Sequence, residues 1–238
     1  MHIFYKPGLH EKVIILDPAE SHHCVNVLRM QKNEEVAVIN GQGILYSTRI
    51  GDANSKEVKL LIINKIENYG KRDYHLHIAI APPKNIERFE WFLEKATEIG
   101  VDEISPVFCQ HSNRMKLRPE RLEKVLISAV KQSLKTWLPK LNQPMNFQEF
   151  IKQENNADRY IAYCSEDYIE HLLVARKNTH NIIVMVGPEG DFSPTEIAMA
   201  IESGFKPVSL GSSRLRTETA GIAVAQIIAN RYVIKDFQ

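Results

Sequence analysis

Two stretches in the C-terminal third of the chain combine glycines, carboxylates and guanidinium groups in a way that could bind and activate a small molecule. The first reads Val184-Met185-Val186-Gly187-Pro188-Glu189-Gly190-Asp191-Phe192-Ser193-Pro194-Thr195-Glu196. An apolar strand breaks at Gly-Pro-Glu-Gly, and a helix begins at Ser193, which forms a capping box with Glu196. The two glycines let the backbone turn sharply and approach a ligand closely. A plain βα connection, with glycines serving only the turn, would carry the same residues. The second stretch reads Ser209-Leu210-Gly211-Ser212-Ser213-Arg214-Leu215-Arg216-Thr217-Glu218-Thr219-Ala220-Gly221. Here a strand again meets a glycine, and two arginines and several hydroxyls precede a helix. Arg214 and Arg216 as solvated charges, with Thr217 as a simple cap, is the plainer alternative. The polar clustering beside so apolar a helix favours a site.

Neither stretch carries a known nucleotide fingerprint: there is no G-x-x-x-x-G-K-[ST], and no G-x-G-x-x-G between a strand and a helix. Gly41-Gln42-Gly43 lies in an expected hairpin turn. Kinase, ATPase and ordinary dehydrogenase chemistry lose their main support.

Strands ending at both stretches imply an open parallel sheet, since ligands bind at the carboxyl ends of such strands. From Asp73 onward, strands and helices alternate. The pattern predicts strands over Tyr74–Ala81, Ile104–Phe108, Arg159–Cys164, Ile182–Val186 and Val208–Leu210. Helices are expected after the N-cap Asn85 up to Gly100, from Pro119, near Asp167–Ala175, over Pro194–Ser203 and over Thr217–Tyr232. In the last of these, Ile222, Ala223, Val224, Ala225, Ile227 and Ile228 leave few polar sides. Such a helix is buried on more than one face, within the core or across a subunit contact.

The first 70 residues read as β. Strands are expected over Lys12–Leu16, Glu35–Ile39, Gly43–Ile50 and Glu57–Glu67, with a helix over Pro18–Met30. Asn40-Gly41 predicts a tight hairpin turn with positive φ at both residues. Short strands with turn signals describe a small barrel. The resulting reading is a β domain over 1–70, a linker at Tyr69–Asp73, and an α/β domain over 73–238.

Composition sets outer limits. The chain has 238 residues, 44% hydrophobic and 25% charged, with a net charge of +1. Disorder and tail-driven nucleic-acid binding are excluded, because apolar content is ordinary and no basic excess exists. Cys24, Cys109 and Cys164 are scattered, so neither a disulfide framework nor a zinc ribbon is expected. No apolar run reaches a membrane span and the N-terminus has no secretory pattern, so a cytoplasmic protein without membrane contact is expected. His75 and His77 share one side of a strand, but no further ligands accompany them and no metal site is expected. Arg114, Lys116, Arg118 and Arg121 read as a solvated basic face.

Taken together, the Gly-Pro-Glu-Gly strand end and the later Leu-Arg-Thr-Glu-Thr-Ala closely resemble the SPOUT class of RNA methyltransferases. Within it, they are similar to the family that methylates N3 of a uridine in 16S ribosomal RNA. The likeness extends to His22-His23…Val27-Leu28-Arg29 and to Glu94-Lys95-Ala96-Thr97-Glu98-Ile99-Gly100-Val101. Two departures stand out: Asp191 where a second Gly is usual, and Ser212-Ser213-Arg214 in place of a commoner Pro-Arg-Ile. The resemblance implies a PUA-like RNA-binding barrel, a C-terminal domain with a deep trefoil knot, a homodimer, and S-adenosyl-L-methionine as cofactor. Cofactor-binding residues would be Val186, Gly187, Pro188, Glu189, Gly190, Leu210, Gly211, Leu215, Thr217, Thr219 and Ala220.

The resemblance and the chemistry of the reaction then imply roles. Uridine N3 bears a proton, and Arg216 beside O2 or O4 would favour the deprotonated base. Glu189 or Glu218 would accept the proton. His22, His23, Arg29 and Arg214 would contact the 16S ribosomal RNA or small-subunit partner. Two rivals remain: a non-catalytic RNA-binding or ribosome-assembly factor on the same fold, and a related enzyme acting on transfer RNA or a ribose 2′-hydroxyl.

Overall fold

The computed structural model describes residues 2–8, 13–113, 116–154, 156–165, 169–175 and 179–233. The chain divides into two compact units, 1–71 with 127–138 and 72–126 with 139–238.

The first unit contains β1 (Ile3–Tyr5), β2 (Val13–Ile15), α1 (Pro18–His22), a π-helical turn His23–Val27, β3 (Glu35–Ile39), β4 (Leu45–Asn54) and β5 (Glu57–Ile66). They form a five-stranded sheet in the order β1-β3-β4-β5-β2, with only the β1–β3 pair parallel. Phe4, Ile14, Val38, Ile50 and Leu60 are buried in its core. The expected first strand begins at Val13, and Lys12 lies outside the described residues.

The single helix expected over Pro18–Met30 is two short pieces. Asp17 caps α1 by accepting from the Glu20 amide at 2.9 Å. The π-turn follows, and Arg29 ends it in the left-handed region at φ 56°. The wider turn goes with Cys24 buried in the core and His22, His23 and Val27 left outside. The hairpin turn also differs from expectation. Asn40 does not take a positive φ; Gly41 and Gly43 do, at 77° and 86°. The Asn40 side chain instead bridges the loop, its Oδ1 accepting from the amides of Gln42 and Ile44 at 2.8 and 3.0 Å. β4 runs past the expected break at Gly51 to Asn54, with register shifts between Ser47 and Thr48 and between Ile50 and Asp52.

The second unit contains β6 (His75–Ile80), α2 (Ile86–Ile99), β7 (Glu103–Phe108), α3 (Pro119–Gln132), β8 (Lys140–Leu141), β9 (Met145–Asn146), α4 (Phe147–Ile151), β10 (Asp158–Ala162), β11 (Asn181–Val186), α5 (Pro194–Glu202), β12 (Lys206–Val208) and α6 (Thr217–Val233). The residues of α3 from Ile127 belong to the first unit. The sheet order is β12-β10-β11-β6-β7-β8, with β9 also on β7 and every pair parallel. β6 and β11 are buried along most of their length, as strands covered on both faces must be.

Local signals held where they were strongest. Asn85 caps α2, accepting from Glu87 N at 3.0 Å, and Gly100 closes it at φ 131°. The Ser193–Glu196 capping box is present in both directions. β12 ends at Val208 instead of starting there. Of the helix expected near Asp167–Ala175, Asp167 lies outside the described residues, and 169–175 is a turn with a His171–Ser209 bridge. In α6, Val224, Ala225 and Ile228 are buried, whereas Ile222, Ala223 and Ile227 are only half-buried within the chain. Among the described residues, no helix is long and apolar enough to cross a membrane.

Candidate active site

A cavity of about 760 Å³ opens at the carboxyl ends of β10, β11 and β12. Three segments form its walls. The first is the loop after β11, contributing Val186, Gly187, Pro188, Glu189 and Asp191. The second is the loop after β12, contributing Ser209 through Leu215, followed by Thr217 and Ala220 from the start of α6. The third follows β10 and supplies Ala162 through Ser165, with Ile169, His171 and Val174.

The first loop is built by hydrogen bonds. The Asp191 amide donates to the Pro188 carbonyl at 2.9 Å, closing a tight turn. Asp191 lies at φ 62°, in the left-handed region that a glycine would enter freely. Its carboxylate offsets the strain, accepting from Phe192 N at 2.8 Å and from Cys164 N at 3.0 Å. Its carbonyl accepts from His111 Nδ1 at 3.0 Å. At Gly187 an added Cβ would come within 3.1 Å of the Phe192 ring, so the loop folds tightly on itself. Thr217 ties the loops together, its buried Oγ1 donating to the Gly187 carbonyl at 3.0 Å.

Glu189 lines the cavity. Its Oε1 accepts from the Lys84 amide at 2.9 Å, and its buried Oε2 has no hydrogen-bond partner among the described residues. Glu218 does not line the cavity. It is buried on the first turn of α6, 3.7 Å from Arg88 Nε. Arg216 is exposed just before α6 and is also absent from the cavity wall. Gly190 and Thr219 likewise stay off the wall. Gly190 permits close passage of His111, and Thr219 is exposed. The remaining expected cofactor residues, Val186, Gly187, Pro188, Leu210, Gly211, Leu215, Thr217 and Ala220, all line it, as does Arg214. In the first unit, His22 ends α1, His23 begins the π-turn, and both are exposed with Arg29.

The third wall went unread in the sequence. The sequence reads 167–175 as a short helix and marks no site there; the one chemical signal nearby is Cys164 at a strand end. His77 is also set apart from the cavity: buried on β6, it shares a 2.8 Å hydrogen bond with Ser105 Oγ. Burial lowers its pKa to about 4, opposed in part by Glu103. Among the described residues, no group of three His, Cys, Asp or Glu side chains is placed to hold a metal ion.

Comparison with known proteins places this geometry. Residues 71–229 match the RNA methyltransferase domain, and residues 16–63 match the RNA methyltransferase PUA domain. A ribosomal RNA small subunit methyltransferase E from Synechocystis sp. is 30% identical over 229 residues, covering 92% of this chain and 74% of that one. A probable rRNA-methyltransferase from Porphyromonas gingivalis superposes with a TM-score of 0.91 at 37% identity, covering 99% of this chain and all of that one. A ribosomal RNA small subunit methyltransferase E from Neisseria gonorrhoeae, bound to S-adenosyl methionine, gives a TM-score of 0.87 at 26% identity, with 98% of each chain covered. A SPOUT-type α/β domain behind an N-terminal PUA domain, with these loops at its strand ends, therefore belongs to the RNA methyltransferase family, among the ribosomal RNA small subunit methyltransferase E proteins.

Proposed function

We propose that the cavity binds S-adenosyl-L-methionine and that this chain, as a cytoplasmic homodimer, transfers the methyl group to N3 of a uridine in 16S ribosomal RNA. The observation that carries the reading is the single cavity in which both glycine-bearing loops meet. Its volume suits a ligand of this size. Gly187 and Glu189 both line the cavity, and the Glu189 Oε2, unpartnered among the described residues, supplies an acceptor there.

When bound, the cofactor supplies a methyl group already activated on a sulfonium. The chain has the remaining work. Main-chain groups of Gly187, Leu210, Gly211 and Leu215 hold the adenosyl part at little side-chain entropy cost. Orientation of the uridine against the donor supplies much of the rate. Glu189 accepts the N3 proton: the Lys84 amide fixes one oxygen, leaving the other to act as base. The placement of Glu218 against Arg88 favours Glu189 over it for this role. Arg216 is exposed next to Thr217, from where its charge favours the deprotonated base. His22, His23 and Arg29 present donors to RNA on the first unit. Half-buried Ile222, Ala223 and Ile227 on α6 supply an apolar strip for the second copy.

Purified protein incubated with labelled cofactor and small ribosomal subunits tests the reading. N3-methyluridine in digested 16S RNA is the expected product. Cofactor binding without methyl incorporation would instead identify an assembly factor. A ribose-methyl product would move the activity to the other rival. Turnover of Arg216→Ala should fall most at low pH, where the base is hardest to deprotonate, and an unchanged rate would remove Arg216 from the mechanism.

A further inference from the structure

The third cavity wall, 169–175, is neither helix nor strand, so its carbonyls have no regular ladder to satisfy them. On one side it is stitched to the end of β12. Ser209 N donates to the Glu170 carbonyl, and Leu172 N donates to the Ser209 carbonyl, both at 3.0 Å. On the other side it meets Arg231, in the last turn of α6. Arg231 Nη1 donates to the Leu172 carbonyl at 3.0 Å and Nη2 to the Ala175 carbonyl at 2.6 Å. α6 is itself anchored by Val224, Ala225 and Ile228, so the guanidinium is offered from a fixed support. Leu172 and Ala175 are buried, but Leu173 and Val174 are 41% and 65% exposed, so apolar packing holds only part of this wall.

We infer that Arg231 is a positioning residue for the cofactor cavity: its guanidinium fork fixes the wall that presents Ile169, His171 and Val174, without itself lining the cavity. This rests on the reading of the cavity as the cofactor site. Two donors in one rigid plane span two carbonyls, a geometry that a lysine ammonium cannot copy. Losing two charge-assisted bonds loosens the wall on its α6 side, and the cofactor must then spend binding energy to order it.

Cofactor titration by calorimetry and amide hydrogen exchange on Arg231→Met and Arg231→Lys test the inference. For Arg231→Met, S-adenosyl-L-methionine should bind about tenfold more weakly or worse. Exchange should quicken in 169–175 but not in β11, and KM for RNA should stay unchanged. Arg231→Lys should recover part of the affinity. Unchanged affinity in a folded Arg231→Met protein would overturn the inference. Should that variant not fold, the unaltered chain decides: bound cofactor must slow exchange across 169–175, and no protection there would overturn the inference equally. No binding to the unaltered chain would instead overturn the cofactor reading, and this inference with it.

Discussion

In the loop after β11, polar groups are tied down residue by residue. Gly187 accepts from Thr217, Glu189 from Lys84, and Asp191 from Phe192, Cys164 and His111. The loop after β12 is built the other way. Gly211, Ser212, Ser213, Arg214 and Arg216 are exposed, and among the described residues the side chains of the last four have no hydrogen-bond or ion-pair partner. One bank of the cavity is thus organised before any ligand arrives, while the other keeps its donors free. Preorganisation lowers the entropic cost of binding, and free donors can be spent on a ligand. The difference also accounts for the two departures from the family pattern. Asp191 can replace a glycine because its side chain makes the bonds that stabilise a left-handed backbone, whereas the side chains of Ser212-Ser213-Arg214 have no partner among the described residues to constrain the choice.

The largest expected effect lies in the sheet beneath the ordered bank. β6 carries His77 and pairs with β11, which leads into that loop. Its folded pKa of about 4 lies below the ordinary 6.5, so the unfolded chain takes up the proton first. This stabilisation is complete above the ordinary pKa and is lost as pH falls from there toward the folded value, with a ceiling of about 3 kcal/mol. Denaturant unfolding at several pH values should give a flatter profile for His77→Asn. A profile as steep as the parent's would assign the acid sensitivity elsewhere.

The tie between the banks comes next. Thr217→Val strands the Gly187 carbonyl and should cost about 1–3 kcal/mol, with weaker cofactor binding, while Thr217→Ser retains most of both. Equal behaviour of the two variants in thermal melts and titrations would show the tie to be idle. Within the ordered bank, Asp191→Ala should lose about 1–2 kcal/mol from strain and lost bonds. Asp191→Gly should lose less, because the backbone is then unstrained. The reverse ranking in unfolding experiments would break the account of the departure. The smallest effect is expected on the open bank. Arg214→Ala should change stability by less than about 0.5 kcal/mol while weakening ligand or RNA binding. A clear drop in melting temperature would mean that this loop is as constrained as the first.

What was legible in advance was local. The N-cap Asn85, the Ser193–Glu196 box and the apolar strands β6 and β11 depend on residues within a few positions of one another. Errors arose where a distant contact decided the outcome. The helix from Pro18 was broken into a π-turn as Cys24 entered the core of the first unit. The Asn40 turn is a local exception: its side chain accepts from amides two and four residues on, and the turn closes without a positive φ at Asn40. The α3 residues from Ile127 join the first unit although nothing in their pattern separates them from the rest of α3.

The sequence by itself determined the two glycine-bearing loops, the alternation that makes a parallel sheet, and the family, because each is written in adjacent residues or in a short motif. Only the tertiary structure decided that Glu189 reaches the cavity while Arg216 and Glu218 do not, that 162–165 and 169–174 form a third wall, and that Arg231 bonds to its carbonyls. Those outcomes turn on hydrogen bonds between residues tens of positions apart, and side-chain direction at such range follows from packing, not from local preference.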